Sequence, residues 1–346
     1  MRHITKALLG GAVASLLFAG QAFSQGIDGA PAPFDKGGVR IAVVSFLGSG
    51  DWLQAFESGV KRQGDALGVE LTISQARNDH DTQRSLVEQA INLGVDGIVI
   101  NNGRPETLQD VAQRALDAGI KVVAYDVDLD NPAVPQIEQS DADMARLVLE
   151  HAVEKEGEGF TGGAVYVAGF APLDRRYAVW KEIAQKHNVT EKAVWGVVND
   201  TVPASVADQT KAVLTANPDI SVIFTPWDEF AKGVKLAIDE LGVADKTKIY
   251  GIDISTPDIE LMREENSAWV ATAATNAAVV GEVSIRALAL DIAGAFPGRS
   301  VLLQPTLVTR DDLIDNDIST IEDLQEKFPA FLESDAATAD WIPAAR

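Results

Sequence analysis

The chain has 346 residues, 51 acidic and 29 basic side chains, and a formal charge of −22. A surface this acidic excludes nucleic acid and anionic lipid as partners, since no basic patch compensates it. The absence of cysteine excludes disulfides, thiolate metal sites and cysteine nucleophiles, while 46% apolar residues suffice for a full core, and the length suits two domains.

Residues 1–24 have the layout of a secretory signal peptide. Arg2 and Lys6 precede an apolar stretch from Ala7 to Ala19, and Ala22-Phe23-Ser24 offers small residues before a cut after Ser24. The stretch is shorter than the roughly 20 residues of a membrane-spanning helix. Loss of the two leader cations takes the formal charge from −22 to −24. Residues 25–38 are rich in Gly, Pro and Ala without periodicity and are expected to form a flexible lead-in.

From Arg40 short β-branched runs alternate with amphipathic stretches, the mark of βαβ units around a parallel sheet. Strands are expected at Arg40–Phe46, Val69–Ser74, Gly97–Asn101 and Lys121–Asp126, with helices near 52–67, 80–93 and 105–118. Leu86, Val87, Ala90 and Ile91 recur at helical spacing, as do Leu108, Val111, Ala112 and Ala115. After an interruption at Asn131-Pro132 and Pro135, a second series begins. Its strands are expected at Ala164–Ala168, Ala193–Val198, Ser221–Thr225, Lys248–Ile252 and Trp269–Thr272. Its helices are expected near 140–154, 174–187, 204–216, 228–241 and 256–264. A long helix over 276–295, a strand over Val301–Thr309 and an acidic tail from Asp311 complete the pattern. The fold class is therefore α/β, with two Rossmann-like lobes, each a parallel sheet covered on both faces.

Ligands of open α/β sheets bind beyond the carboxyl ends of the strands. In the first series those ends carry Phe46, Trp52, Asn101, Asn102 and Asp126; in the second they carry Phe170, Arg175, Arg176, Trp227, Asp253, Thr275 and Asn276. Carboxylates, guanidinium groups and amides among aromatic rings suit a polyhydroxylated ligand. Hydroxyls donate to carboxylates and accept from arginine and amides, while C–H faces lie against rings. Each position also has a plainer reading. Asp and Asn after strands often cap helices or form turns, and Trp52 and Trp227 could simply fill the core. Asp126 and Asp253 end apolar strands (VVAYD and IYGID), where an unpaired buried carboxylate is costly, so they stand out as site residues.

In order along the chain, IAVV, QARNDHDTQ, LGVDGIVINN, AGIKVVAYD, QSDAD, VYVAGFAPLDRR, TANPDISVIFTPWDEFAKG, IYGIDIS and ATAATNA form a recognisable set. From about Val39 to Thr309 the chain resembles the ribose-type periplasmic sugar-binding proteins, whose fold is shared by the sensory domains of sugar-responsive repressors. The resemblance implies two lobes joined by three crossovers, near Ser140, Thr275 and Thr306, that close on a ligand by hinge motion. It places the N-terminal lobe in residues 39–140 and 276–306, and the C-terminal lobe and tail in residues 141–275 and 307–346. It implies a stacking role for Trp52, hydroxyl-binding carboxylates at Asp126 and Asp253, a second-lobe arginine at Arg175, and a polar hinge residue at Thr275 or Asn276. It further implies a monomer that delivers its sugar to the permease subunits of an ABC importer, without cofactor, metal or catalysis. Two positions depart from the ribose pattern. Val127 stands where an arginine is usual and Trp227 where an amide is usual, which points away from ribose toward a tetritol, a branched or furanose pentose, or a deoxy sugar.

Three rival readings compete with this one. Gly48, Ser49 and Gly50 follow a strand, but Leu53 occupies the third glycine position of a dinucleotide fingerprint, and no acid ends the second strand at Ser74-Gln75. A hydrolase lacks a G-x-S-x-G elbow, and His80, His151 and His187 have no metal-ligand spacing. A glycosidase pairing Asp126 with Asp253 would be recognised by turnover. A periplasmic sensor docking on a chemoreceptor or kinase would share the fold and differ only in its output.

Overall fold

The computed structural model describes residues 26–295, 298–332 and 335–345; the expected signal peptide lies outside the described residues. In the first lobe the elements run β1 (Arg40–Ser45), α1 (Asp51–Ala66), β2 (Glu70–Gln75), α2 (His80–Leu93), β3 (Gly97–Asn101), α3 (Pro105–Asp117), β4 (Lys121–Tyr125) and β5 (Gln136–Glu138). The second lobe follows with α4 (Asp141–Glu156), β6 (Thr161–Val165), α5 (Ala171–Lys186), β7 (Thr190–Trp195), α6 (Val202–Ala216), β8 (Val222–Thr225), α7 (Asp228–Leu241), β9 (Lys248–Ile252), α8 (Thr256–Arg263) and β10 (Trp269–Ala274). The chain then returns through α9 (Ala277–Ile292) and β11 (Ser300–Leu302), crosses again to β12 (Thr306–Thr309), and continues through α10 (Arg310–Asp315) and α11 (Ile321–Lys327).

Two six-stranded sheets result, in the orders β11-β5-β4-β3-β1-β2 and β12-β10-β9-β8-β6-β7. Every pairing in the first sheet is parallel. The second is parallel except for its edge, where β12 runs against β10. Helices cover both faces, so central strands read as unbroken apolar runs: all of β3 is buried, as is β1 after Arg40. On one face of the first sheet α1 and α9 approach backbone to backbone. A Cβ on Gly59 would stand 1.7 Å from the Ala278 carbonyl oxygen, and one on Gly281 would stand 2.1 Å from that of Phe56. Only glycine permits that separation.

The crossovers lie between β5 and α4, between β10 and α9, and between β11 and β12. The Thr275 hydroxyl donates to Gln139 Oε1, joining two of them. The single strand expected over Val301–Thr309 is thus two strands in different sheets, parted at Pro305, which has no amide hydrogen to give a ladder. Strands β6 and β7 begin three residues before their expected positions. Gly162 and Gly163 hide the start of β6 because they leave room for rings: a Cβ on either would meet Trp180 or Trp195 at 2.7 Å.

Both ends of the described chain correct the expected boundaries. The lead-in is packed, not flexible: Phe34 is buried, and the Ile27 amide donates to the Phe34 carbonyl at 2.9 Å. The tail does not stay with the second lobe. Leu324 and Phe331 sit in the second-lobe core, but Trp341 and Ile342 pack against the first. Trp341 lies 5.0 Å from the Phe34 ring, and Gln63 Nε2 donates to the Pro343 carbonyl at 2.9 Å.

Candidate functional site

Between the two sets of strand ends lies a cleft, a junction of lobes of the kind where small-molecule sites are commonly found. The first lobe lines it with Phe46, Leu47, Trp52, Asn102, Tyr125 and Asp126, and Gln139 contributes from the first crossover. The second lobe supplies Phe170, Pro172, Leu173, Arg176, Val198, Trp227 and Asp253.

The two carboxylates owe their position to backbone that few residues adopt. Asp126 has φ 51° and Asp253 φ 73°, in the left-handed region where Asp and Asn are the tolerated side-chain-bearing residues. The chain turns sharply at each of these strand ends and leaves the carboxylate in the cleft. Asn102 repeats the device after β3, with φ 55°.

Asp141, buried at the start of α4, orders both arginines. It accepts from Arg175 Nε at 2.9 Å and from Arg176 Nε at 2.7 Å. Arg176 also donates to the Pro226 carbonyl at 2.7 Å and stands 3.5 Å from Asp253. Arg175 reaches across the cleft instead, to Asp126 at 3.2 Å and Asp128 at 3.0 Å. Burial, with Asp141 nearby, raises the Asp126 carboxyl to about 8 against the pull of the two arginines. Burial likewise lifts Asp253 to about 6, opposed first by Arg176. Asp253 Oδ1 and the Trp52 indole Nε1 are buried without a protein partner among the described residues. An acceptor and a donor therefore both remain for a ligand hydroxyl.

Aromatic rings complete the walls. Trp52 stacks on Tyr125 at 5.3 Å and 10°, and Phe46 meets Phe170 of the other lobe at 5.4 Å. The lobes also touch through Lys232 and Asp51 at 2.6 Å and Asn78 and Asp200 at 2.8 Å, so the cleft stands closed.

Of the residues expected from sequence, Phe46, Trp52, Asp126, Arg176, Trp227 and Asp253 meet in this cavity; Asn101, Arg175, Thr275 and Asn276 do not line it. Asn101 turns to Ser45, its Nδ2 donating to Oγ at 3.0 Å. Arg175 is consumed by carboxylates, Thr275 by Gln139, and Asn276 caps α9 by accepting from the Ala278 amide at 3.0 Å. Asn102 and Phe170, at the strand ends, line the cavity as well, and sequence reasoning missed Tyr125 and Gln139. Val127, where the ribose pattern has arginine, is buried in the first-lobe core.

Residues 41–295 match the model of the periplasmic binding protein domain. The chain is 27% identical over 230 residues to a D-ribose/D-allose-binding protein of Pseudomonas aeruginosa, covering 62% of this chain and 70% of that one. Among solved structures it is similar to a 5-methylthioribose transporter solute binding protein from Thermotoga lettingae, in complex with 5-methylthioribose. The TM-score there is 0.86, with 34% identity over 88% of this chain and 97% of that one. A sugar ABC transporter protein from Yersinia enterocolitica superposes with a TM-score of 0.87 and 29% identity, over 91% and 97% of the two chains. The chain belongs to the periplasmic binding protein family, whose members hold a solute and do not turn it over.

Proposed function

We propose that this protein is exported to the periplasm by a cleaved leader, captures one small sugar between its lobes as a monomer, and delivers it to the permease subunits of an ABC importer. The ligand we favour is a pentose with an apolar group on its exocyclic carbon. The lining carries this reading. Besides Asn102 and Gln139, the cavity has three charged side chains, and they adjoin one another: Asp126, Asp253 and Arg176 are linked through Arg175 and Asp141. Much of the remaining wall is Phe46, Leu47, Phe170, Pro172, Leu173 and Val198. Hydroxyls pressed against that wall would lose water without gaining partners, at roughly 1–3 kcal/mol each, whereas a methyl or thioether group would gain contact there. The 5-methylthioribose held by the Thermotoga lettingae relative has that division of character, and Trp227 in place of an amide agrees with it.

A thermal-shift panel of 5-methylthioribose, ribose, xylose, galactose and pentitols tests the proposal. A ligand at a hundred times its dissociation constant stabilises the fold by about 2.7 kcal/mol. The largest shift is expected from the substituted pentose, and a panel led by galactose or a pentitol would refute that choice of class.

A further inference from the structure

Outside the cavity, one ammonium group serves four carboxylates. Lys232 Nζ lies 2.6 Å from Asp51, 2.7 Å from Glu229, 3.4 Å from Asp258 and 3.7 Å from Asp228. Three of those acids belong to its own lobe, on α7 and at the start of α8; Asp51 alone comes from the first lobe, as the opening residue of α1. Asp228 and Asp258 are fully buried. The contact flanks the ligand cleft directly, since Asp51 precedes Trp52 and Asp228 follows Trp227, both lining residues.

We infer that Lys232 is a positioning residue for ligand capture: it sets the affinity for an uncharged sugar without touching it, by making the closing contact between the lobes attractive. The sign follows from the charges. When the lobes part, Asp51 leaves, and Lys232 keeps the three acids of its own lobe. When they close, Asp51 approaches a group of three carboxylates and one cation. With Lys232 in place Asp51 meets that cation at contact distance, and the acids stand behind it. Without Lys232, Asp51 would close onto Glu229 and the acids behind it with no cation between them. Coulomb attraction at this range between partly buried groups is substantial, and all of it is realised only in the closed form, which is the form that holds ligand. Arg175 supplies a second cross-lobe pair, to Asp126 and Asp128, so loss of Lys232 weakens closure without abolishing it.

The inference rests on the sugar-capture reading, and one set of calorimetric titrations with 5-methylthioribose, and with ribose as second probe, separates the two. Lys232→Met is expected to weaken binding at least tenfold, and Lys232→Arg to restore most of it. Asp51→Asn alone should cost only a few-fold. Added to Lys232→Met, it should recover several-fold in affinity, because it removes the acid that is repelled. Salt gives the second readout. Between about 20 mM and about 500 mM NaCl, screening should weaken wild-type binding and strengthen binding by Lys232→Met, and it should leave Asp51→Asn less affected than wild type. Should Lys232→Met fail to fold, the wild-type and Asp51→Asn salt dependences carry the test. Binding by wild type together with an unchanged affinity in folded Lys232→Met, no recovery in the double variant, or equal salt dependence in wild type and Asp51→Asn would overturn the role of Lys232 alone. Failure of wild type to bind either sugar would overturn the pentose-capture reading beneath it.

Discussion

Asp126 and Asp253 occupy equivalent places in the two lobes. Each is the first residue after a strand, β4 in one lobe and β9 in the other, each takes left-handed backbone, and each is 2% exposed. They face one cavity from its two sides. A ligand held by both can be held only when the lobes are closed, which is the physical basis of capture by hinge motion.

Replacing Asp126 or Asp253 by Ala should each weaken sugar binding by several kcal/mol, because ligand hydroxyls and the partner arginine would be left unpaired in a closed cavity. Titration calorimetry reads the loss. Far-ultraviolet circular dichroism should remain that of the wild type.

The same carboxylates make stability depend on pH. Burial raises Asp126 to about 8, and Asp253 and Asp258 to about 6, above the usual aspartate value of 3.8. A group whose folded value is raised favours the folded state while protonated, so its contribution is complete below about 4 and is lost as pH rises through 6 to 8. The ligand-free protein should therefore melt at lower temperature at pH 8 than at pH 5, and Asp126→Asn should melt above wild type at pH 8. Calorimetric melts at the two pH values check both statements.

Much of this arrangement is legible in the sequence. Alternating β-branched runs and helical stripes mark two α/β series. VVAYD and IYGID mark the two carboxylates, because an acid that ends a buried apolar strand must find a partner or a ligand. The features that sequence reasoning missed depend on side-chain direction and on partners distant in the chain. Arg175 and Arg176 are adjacent and point differently, and the resemblance singles out Arg175; in the structure Arg175 pairs across the cleft while Arg176 lines the cavity, held by Asp141 and the distant Pro226 carbonyl. Gln139 follows a three-residue strand too short to show a period. Phe34 and Trp341 lie in segments without periodicity, and they pack on each other from opposite ends of the chain.

The close approach of α1 and α9 yields a prediction about stability alone. Gly59→Ala and Gly281→Ala place a methyl group inside the van der Waals shell of a backbone carbonyl. Each should destabilise the fold by about 1–3 kcal/mol, the usual range for overpacking, as read from urea midpoints. Protein that remains folded should bind sugar with near wild-type affinity, since neither glycine lines the cavity.

Trp227 offers a test of specificity. Trp227→Gln puts back the amide usual in ribose binders and removes apolar wall, so affinity for ribose should rise and affinity for 5-methylthioribose should fall, each about tenfold, about 1.4 kcal/mol. Competition between the two sugars reports the switch.

The most direct measurement of the central claim is a titration of the wild-type protein with 5-methylthioribose and ribose in parallel. The closed cleft with two opposed carboxylates and a largely apolar wall predicts one site per chain, bound at least tenfold more tightly by the substituted pentose. Equal affinity for the two sugars would contradict the reading of that wall, and no heat from either would contradict pentose capture itself.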